Sequence, residues 1–232
     1  MEEMNSTPVS MIEETLIYEN LLSKAEDIEG FILEGQAKIT FDEGAMRLKN
    51  ALDNGLGQKA NYVLWCPLTF PENVRIEWEF KPLTSQGLCI LFFAAEGKDG
   101  KDLFDPSLSP RTGEYPQYHS GDINAFHVSY FRRKEPDERA FHTCNLRKSC
   151  GFHLVAQGAD PLPDAEDADG FYKIVVRKYK NNITFSVNGL SVFEYHDDGT
   201  TYGDVLKGGK IGFRQLAPLT AEYKNLKVYE LC

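Results

Sequence analysis

Apolar and polar residues alternate along most of this chain in short runs, a pattern typical of β-strands that bury one face. Helix signals are weak, and only "SKAEDIEG" is expected to form one or two helical turns. The pattern therefore indicates an all-β protein, with strands predicted at FILEG, AKITF, AMRLKN, ANYVLWC, VRIEWEFKP, GLCILFFAA, INAFHVSYFRR, FYKIVVRKY, NITFSVNG, LSVFEYH, GKIGFRQL and AEYKNLKVYE.

Turn residues separate these runs and indicate antiparallel pairing. The dipeptide Asn188-Gly189 favours a two-residue type I′ turn, and "KNN" before "ITFSV" is a second hairpin connection. The segment 98–121, rich in Gly, Pro, Asp and Tyr, is long for a plain connection and is expected to be functional. The apolar side of the strands predicts a core that includes Trp78, Phe80, Ile90, Phe92, Val128, Ile174, Val176, Phe185, Ile211 and Phe213.

Length and composition are typical of one domain over residues 1–232, with residues 1–17 as a loosely ordered N-terminal segment. The sequence contains no apolar run of membrane-spanning length and no signal-peptide pattern at its start, so we expect a cytoplasmic protein. The five cysteines include no C-x-x-C pair. We therefore expect free thiols and predict neither a metal nor a cofactor.

The formal net charge of −10 argues against nucleic acid and anionic membranes as partners. The charge is nevertheless uneven along the chain. Between Arg132 and Lys148, six basic residues stand against three acidic ones, a local charge of +3. This basic island predicts a local anionic ligand.

The stretch "NAFHVSYFRR" places ligand-type side chains on a predicted strand. Strand alternation assigns His127 and Arg133 to one face and Val128, Tyr130 and Arg132 to the other, which begins apolar and should pack between the sheets. His127 and Arg133 are then expected to face outward. The alternative is a solvated face with an ordinary, hydrogen-bonded histidine.

Two further strands carry candidate groups. In "RIEWEF", Glu77 and Glu79 share a face at about 6.5–7 Å, a spacing that an inverting glycosidase could use. Alternating charge on a solvent-facing strand is the alternative explanation. In "KIGFRQL", Lys210 and Arg214 share a face, and Arg214 is a candidate second anion clamp. The sequence has no G-x-S-x-G, P-loop, G-x-G-x-x-G or H-E-x-x-H motif, which argues against serine hydrolases, nucleotide enzymes and zincins.

Long blocks of the chain strongly resemble the YesU-like family of uncharacterised bacterial proteins. They include "NYVLWCPLTFPENVRIEWEF", "DLFDPSLSPRTGEYPQYHSGDINAFHVSYFRRK" and "DDGTTYGDVLKGGKIGFRQLAPLTAEYKNLKVY", and the match runs from about residue 18 to 229. The resemblance implies a concanavalin A-like lectin/glucanase fold, a jelly-roll sandwich of two antiparallel sheets. It also implies association with the breakdown of acidic plant or algal polysaccharides. "IEWEF" departs from the Glu-x-Asp-x-x-Glu motif of laminarinase-type relatives, so their mechanism does not transfer.

Two hypotheses follow. The first, which we favour, is a glycoside hydrolase or lyase that acts on short, uronate-containing oligosaccharides. The second is a non-catalytic, lectin-like carbohydrate-binding module that uses the same residues without proton transfer. A homodimer is compatible with either.

Under the first hypothesis, His127 is the expected acid or base, with Tyr130, His142 and Glu79 as alternatives. Arginines are expected to neutralise the uronate carboxylate. The residues expected to bind the oligosaccharide are Glu114, Tyr115, Tyr118, His119, Asp122, Asn124, Arg132, Arg133, Asn145, Arg147 and Arg214.

Overall fold

A computed structural model describes residues 12–232, in which short alternating segments form fifteen strands. Their bounds in chain order are β1 Glu14–Asn20, β2 Ile32–Gly35, β3 Ala37–Asp42, β4 Ala45–Asn50, β5 Tyr62–Trp65, β6 Val74–Pro82, β7 Leu88–Gly97, β8 Ile123–Tyr130, β9 Thr143–Ser149, β10 His153–Ala159, β11 Tyr172–Tyr179, β12 Asn182–Val187, β13 Leu190–His196, β14 Lys210–Leu216 and β15 Thr220–Leu231. Two short helices, α1 Pro116–His119 and α2 Pro136–Ala140, lie in connections. The turn predicted at "SKAEDIEG" is a 3-10 turn, Ala25–Ile28.

The strands form two antiparallel sheets. Sheet A has the order β13-β12-β11-β6-β15-β4-β3, and β1 also pairs with β15. Sheet B has the order β10-β9-β8-β7-β14-β5-β2. The predicted two-sheet, all-β sandwich is confirmed. The predicted hairpin turn is confirmed as well, because Asn188 and Gly189 both have the positive φ that a type I′ turn needs.

The main core fills the space between the sheets, where Trp78, Phe80, Phe185 and Phe213 are buried. All ten predicted core residues are buried, but Ile90 and Phe92 belong to a second cluster on the other face of sheet B. The continuous apolar run "LCILFFAA" explains this arrangement, since β7 buries both of its faces.

The segment 98–121, here called the covering loop, packs on the outer face of sheet B. Asp102 pairs with Lys210 of β14 at 3.0 Å, and Arg111 pairs with Glu34 of β2 at 2.7 Å. Leu103 of the loop is buried in the second apolar cluster. The loop is thus tied at two points to the face that carries the candidate site.

The segment predicted to be loosely ordered, residues 1–17, overlaps the first strand. Of the segment 1–17, residues 1–11 lie outside the described residues, whereas residues 14–17 begin β1 and are not loosely ordered. The five cysteines form no disulfide. Between residues 12 and 232, no helix combines the length and apolar character needed to cross a membrane.

Candidate functional site

Strand register places the candidate residues of sheet B in two rows across its outer face. In an antiparallel sheet, residues directly opposite each other on adjacent strands point to the same side. The first row is Arg214, Ile90, Ser129 and Asn145, and the second row is Gly212, Phe92, His127 and Arg147.

A cavity of about 180 Å³ opens at this face, between the strands, α2 and the covering loop. Apolar side chains form part of its wall, and polar and charged groups form the rest. Its lining residues are Gln58, Leu88, Ile90, Tyr115, Ser129, Arg132, Lys134, Glu135, Glu138, Asn145, Arg147, Phe152 and Leu216.

The cations of the cavity are only partly neutralised by the protein. Arg132 pairs with Glu138 at 2.8 Å. With the Asn145 side-chain amide turned so that its oxygen faces Arg132, Arg132 Nη1 also donates to Asn145 Oδ1 at 3.1 Å. For Arg147 and Lys134, no carboxylate among residues 12–232 lies within ion-pair distance. Burial lowers the pKa of Arg147, and the neighbouring Arg132 acts in the same direction. Burial also lowers the pKa of Lys134, although Glu135 and Glu138 act to raise it.

Arg214 is a further cation, buried beneath Tyr115. Its Nη1 donates to the carbonyl oxygen of Gly113 at 2.6 Å, and its Nη2 donates to Gln58 Oε1 at 3.3 Å. The guanidinium carbon lies 4.9 Å from the ring centre of Tyr115 and 5.3 Å from that of Tyr118. Burial lowers the pKa of Arg214 to about 10, and its Nε has no hydrogen-bond partner within the described chain. Arg214 therefore adds positive potential below the cavity without reaching into it.

His127 stands behind Tyr115 with an exposed fraction of 1%. Ser149 Oγ donates to the Gly151 carbonyl oxygen at 3.1 Å, so His127 Nε2 must donate to Ser149 Oγ, also at 3.1 Å. His127 Nδ1 then accepts the hydroxyl proton of Tyr115 at 3.0 Å. Burial, followed by the nearby Arg147, keeps the pKa of His127 well below its ordinary value, and burial raises the pKa of Tyr115 to about 12. The pair is a neutral histidine and a neutral tyrosine.

Aromatic side chains continue from Tyr115 towards solvent. The ring of Phe152 lies 5.5 Å from that of Tyr115 and 4.6 Å from that of His119. Arg147 stacks on Phe152 at 3.6 Å. Tyr118 is different, because it is buried against Phe92 and its hydroxyl accepts from the Gly113 N–H at 3.1 Å. Tyr118 therefore supports the covering loop and is not part of the cavity wall.

The predicted orientations of Arg132 and Arg133 are wrong and are reversed in the structure. Phe131 has a φ of +46°, which ends β8 and breaks the alternation. Arg132 consequently lines the cavity, and Arg133 turns to Asp160 at 3.0 Å and Asp164 at 3.1 Å.

Tyr130, the alternative acid or base on the same strand, lies in the core between the sheets. Its hydroxyl accepts from Trp78 Nε1 at 3.3 Å, and its ring packs edge-on against Phe80. Tyr130 is fully buried and does not line the cavity.

Other predicted residues also lie elsewhere. Glu79 is on the outer face of sheet A, bonded to Asn225 at 2.8 Å and Lys224 at 3.3 Å, so the whole sandwich separates it from His127. Glu77 on the same face pairs with Lys173 at 2.9 Å. His142 is in the connection between α2 and β9 and does not line the cavity.

Three predicted ligand-binding residues have other positions. Glu114 borders a separate depression with Lys59. Asp122 accepts from the backbone N–H of Ser109 at 3.1 Å and fixes the covering loop. Asn124 pairs with Glu96 beyond a β-bulge, away from the cavity. In each case the residue is near in sequence to the site, but the strand or loop geometry directs it away.

Several lining residues were not predicted. Phe152 lies inside the motif "RKSCGFH", where the glycine before it signals an exposed turn, and Lys134 directly follows the two arginines. Gln58 belongs to the 3-10 segment Asn54–Ala60, far from the basic island, and nothing in the sequence signals its role. Among residues 12–232, no group of three or more His, Cys, Asp or Glu side chains could hold a metal ion.

The family of this chain follows from its similarity to known proteins. The model of DUF1961, described as a domain of unknown function, matches residues 15–228. This chain belongs to that family. It is 53% identical over 214 residues to the uncharacterized protein YesU of Bacillus subtilis (strain 168), covering 92% of this chain and 95% of the relative.

Solved structures agree on the fold. A Bacillus subtilis protein of unknown function with a galectin-like fold superposes with a TM-score of 0.91 at 52% identity, covering 95% of this chain and 99% of that chain. The carbohydrate-binding module CBM66 of Bacillus subtilis superposes with a TM-score of 0.51 at 14% identity, covering 85% and 93%. At that identity, the second similarity shows the fold alone.

Proposed function

We propose that this protein binds a short acidic oligosaccharide and holds one uronate-type sugar residue in the cavity of sheet B. The observation that carries the proposal is Arg147, a partly buried cation of the cavity wall for which no carboxylate among residues 12–232 lies within ion-pair distance, in a chain of net charge −10. A cation taken partly out of water without a countercharge is costly, and a bound carboxylate would supply that charge. Arginine can also bind a carboxylate through two parallel hydrogen bonds.

The other lining groups suit a sugar. Ser129 offers a hydroxyl and Gln58 an amide nitrogen for sugar hydroxyls, whereas the Asn145 amide is already bonded to Arg132 and its neighbours. Tyr115 and Phe152 offer aromatic surface for the apolar face of a ring. The similarity of fold to a carbohydrate-binding module supports this proposal, although the site itself carries it.

Binding is favoured over hydrolysis by the state of the acidic and basic groups. His127 is buried, and both of its ring nitrogens are already hydrogen-bonded within the protein. Glu138 accepts from Arg132 and from the backbone N–H groups of Lys134 and Glu135, so it stabilises the start of α2. A glycosidase needs two available carboxylates across the glycosidic bond. Glu135 and Glu138 both line the cavity, but their carboxylates cap the start of α2, each accepting from the other's backbone N–H. Because neither carboxylate is available for a glycosidic bond, we favour the binding module over the hydrolase.

Elimination is the second candidate function, and the Tyr115–His127 hydrogen bond favours it. In β-elimination a base removes the proton next to the uronate carboxylate, the glycosidic oxygen leaves with a proton, and a carbon–carbon double bond forms. Arg147 would neutralise the carboxylate. Tyr115, after giving its hydroxyl proton to His127 Nδ1, would take the proton next to the carboxylate and pass it to the leaving glycosidic oxygen. The raised pKa of Tyr115 disfavours the phenolate that a base would require, so this candidate ranks second.

One set of titrations tests both candidates. The protein is titrated calorimetrically with oligogalacturonides of two to four units and with the same oligomers after carboxyl reduction. We expect the acidic series to bind about ten- to hundredfold more tightly, from about 1.5–3 kcal/mol for hydrogen bonds to a charged group. Equal affinity for the two series would contradict the proposal.

The recovered ligand is then analysed by mass and ultraviolet absorption. Unchanged ligand supports a binding module, whereas an unsaturated product supports elimination. In the latter case, Tyr115→Phe should abolish turnover and preserve affinity.

A further inference from the structure

The cavity is large enough for one sugar residue only. Its volume of about 180 Å³ is slightly larger than the roughly 150 Å³ cavity that admits a single benzene molecule. The remainder of an oligosaccharide must therefore leave the cavity and run along its edge.

Phe152 is the residue that joins the cavity to the surface. Its side chain lines the cavity, yet 47% of the residue is exposed. The ring of His119 lies 4.6 Å away and extends the aromatic surface beyond the cavity. An oligosaccharide that leaves the cavity on this side therefore contacts the rings of Phe152 and His119.

The position of the Phe152 ring is fixed before a ligand arrives. Arg147 stacks on the ring at 3.6 Å and donates from Nη1 to the Phe152 carbonyl oxygen at 2.9 Å. Gly151 precedes it with a φ of +102°, and a Cβ there would meet the His153 ring at 2.1 Å, so the turn requires glycine. A ring held in place loses little conformational freedom when a ligand stacks on it.

We propose that Phe152, with His119, forms a second sugar subsite for the residue adjacent to the acidic one, and that the ligand is at least a disaccharide. This inference rests on the proposed function, because the first subsite is the cavity. Sugar rings present an apolar C–H face, which matches an exposed aromatic ring.

The test compares ligand lengths in four forms of the full chain: wild type, Phe152→Ala, Phe152→Tyr and Phe141→Ala. Phe141 is the matched control, since it is also an exposed phenylalanine, at 76%, but does not line the cavity. Galacturonic acid and digalacturonic acid are titrated by NMR against each form. We expect Phe152→Ala to weaken the disaccharide about two- to tenfold more than it weakens the monosaccharide, from the usual size of aromatic contacts. Phe152→Tyr and Phe141→Ala should match wild type.

The outcomes separate this inference from the proposed function. If wild type prefers acidic over carboxyl-reduced ligands but Phe152→Ala binds the disaccharide normally, the second subsite is wrong and the cavity stands. If Phe152→Ala weakens both ligands equally, the ring only positions Arg147, and the subsite is again wrong. If wild type shows no acidic preference or no binding, the proposed function and the inference both fail.

Discussion

Replacing Arg133 by alanine should destabilise the protein strongly and leave ligand binding intact. The Arg133 and Asp160 side chains are 1% and 0% exposed and meet at 3.0 Å. Without Arg133, the buried carboxylate of Asp160 retains, among residues 12–232, one hydrogen bond, from the Leu162 N–H at 3.1 Å. Breaking a buried ion pair by removing one partner costs about 3–5 kcal/mol. At about 2–4 °C per kcal/mol for a chain of this size, Tm should fall by about 6–20 °C.

Urea unfolding, followed by tryptophan fluorescence, measures this change because Trp65 and Trp78 are both buried. Arg139→Ala is the matched control, an exposed arginine of the same basic island whose loss should cost less than about 1 kcal/mol. Calorimetric titration of folded Arg133→Ala should give the wild-type affinity for acidic oligosaccharide. A stability loss below 1 kcal/mol together with a selective loss of acidic-ligand affinity would refute the reasoning, because Arg133 would then face the ligand.

Two further predictions concern burial. Phe185→Ala should lower the free energy of unfolding by about 3–5 kcal/mol, since the ring is fully buried and packs on Phe193. Urea unfolding measures this loss, and a value below about 1 kcal/mol would contradict the prediction. His127 has a folded-state pKa well below 6.5. Below pH 6.5 the unfolded chain therefore binds a proton at His127 that the folded chain does not bind, and the free energy of unfolding decreases as the pH falls. Between pH 7 and pH 5, wild type should lose about 2 kcal/mol more than His127→Gln, and equal losses would show that His127 is not buried in its neutral form.

The fold was predictable because its determinants are local. Period-2 alternation located most strands, and Asn188-Gly189 specified a hairpin turn that its backbone angles confirm. The continuous apolar run of β7 is compatible with burial on both faces, but it does not show that the covering loop folds back over the sheet and buries Ile90 and Phe92 there. Ile90 and Phe92 were therefore expected in the central core but belong to the second cluster.

The site was less predictable for three physical reasons. The positive φ of Phe131 reverses the orientation of Arg132 and Arg133, and nothing in a phenylalanine signals such a conformation. The alternation of side chains along β6 places Glu79 on the outer face of its sheet, but it does not show which of the two sheets carries the cavity. Gln58 reaches the cavity from a distant 3-10 segment, a contact that only tertiary structure creates.

The central claim is that Arg147 binds the carboxylate of an acidic sugar. The most direct measurement is the ratio of the affinities for an acidic oligosaccharide and its carboxyl-reduced counterpart, in wild type and in Arg147→Gln. Arg47→Gln is the control, because Arg47 lies on sheet A and is already paired with Asp42 and Glu222. We predict that Arg147→Gln weakens the acidic ligand about ten- to hundredfold and barely changes the neutral one, so that the ratio approaches one. An unchanged ratio, or an equal loss for both ligands, would contradict the claim.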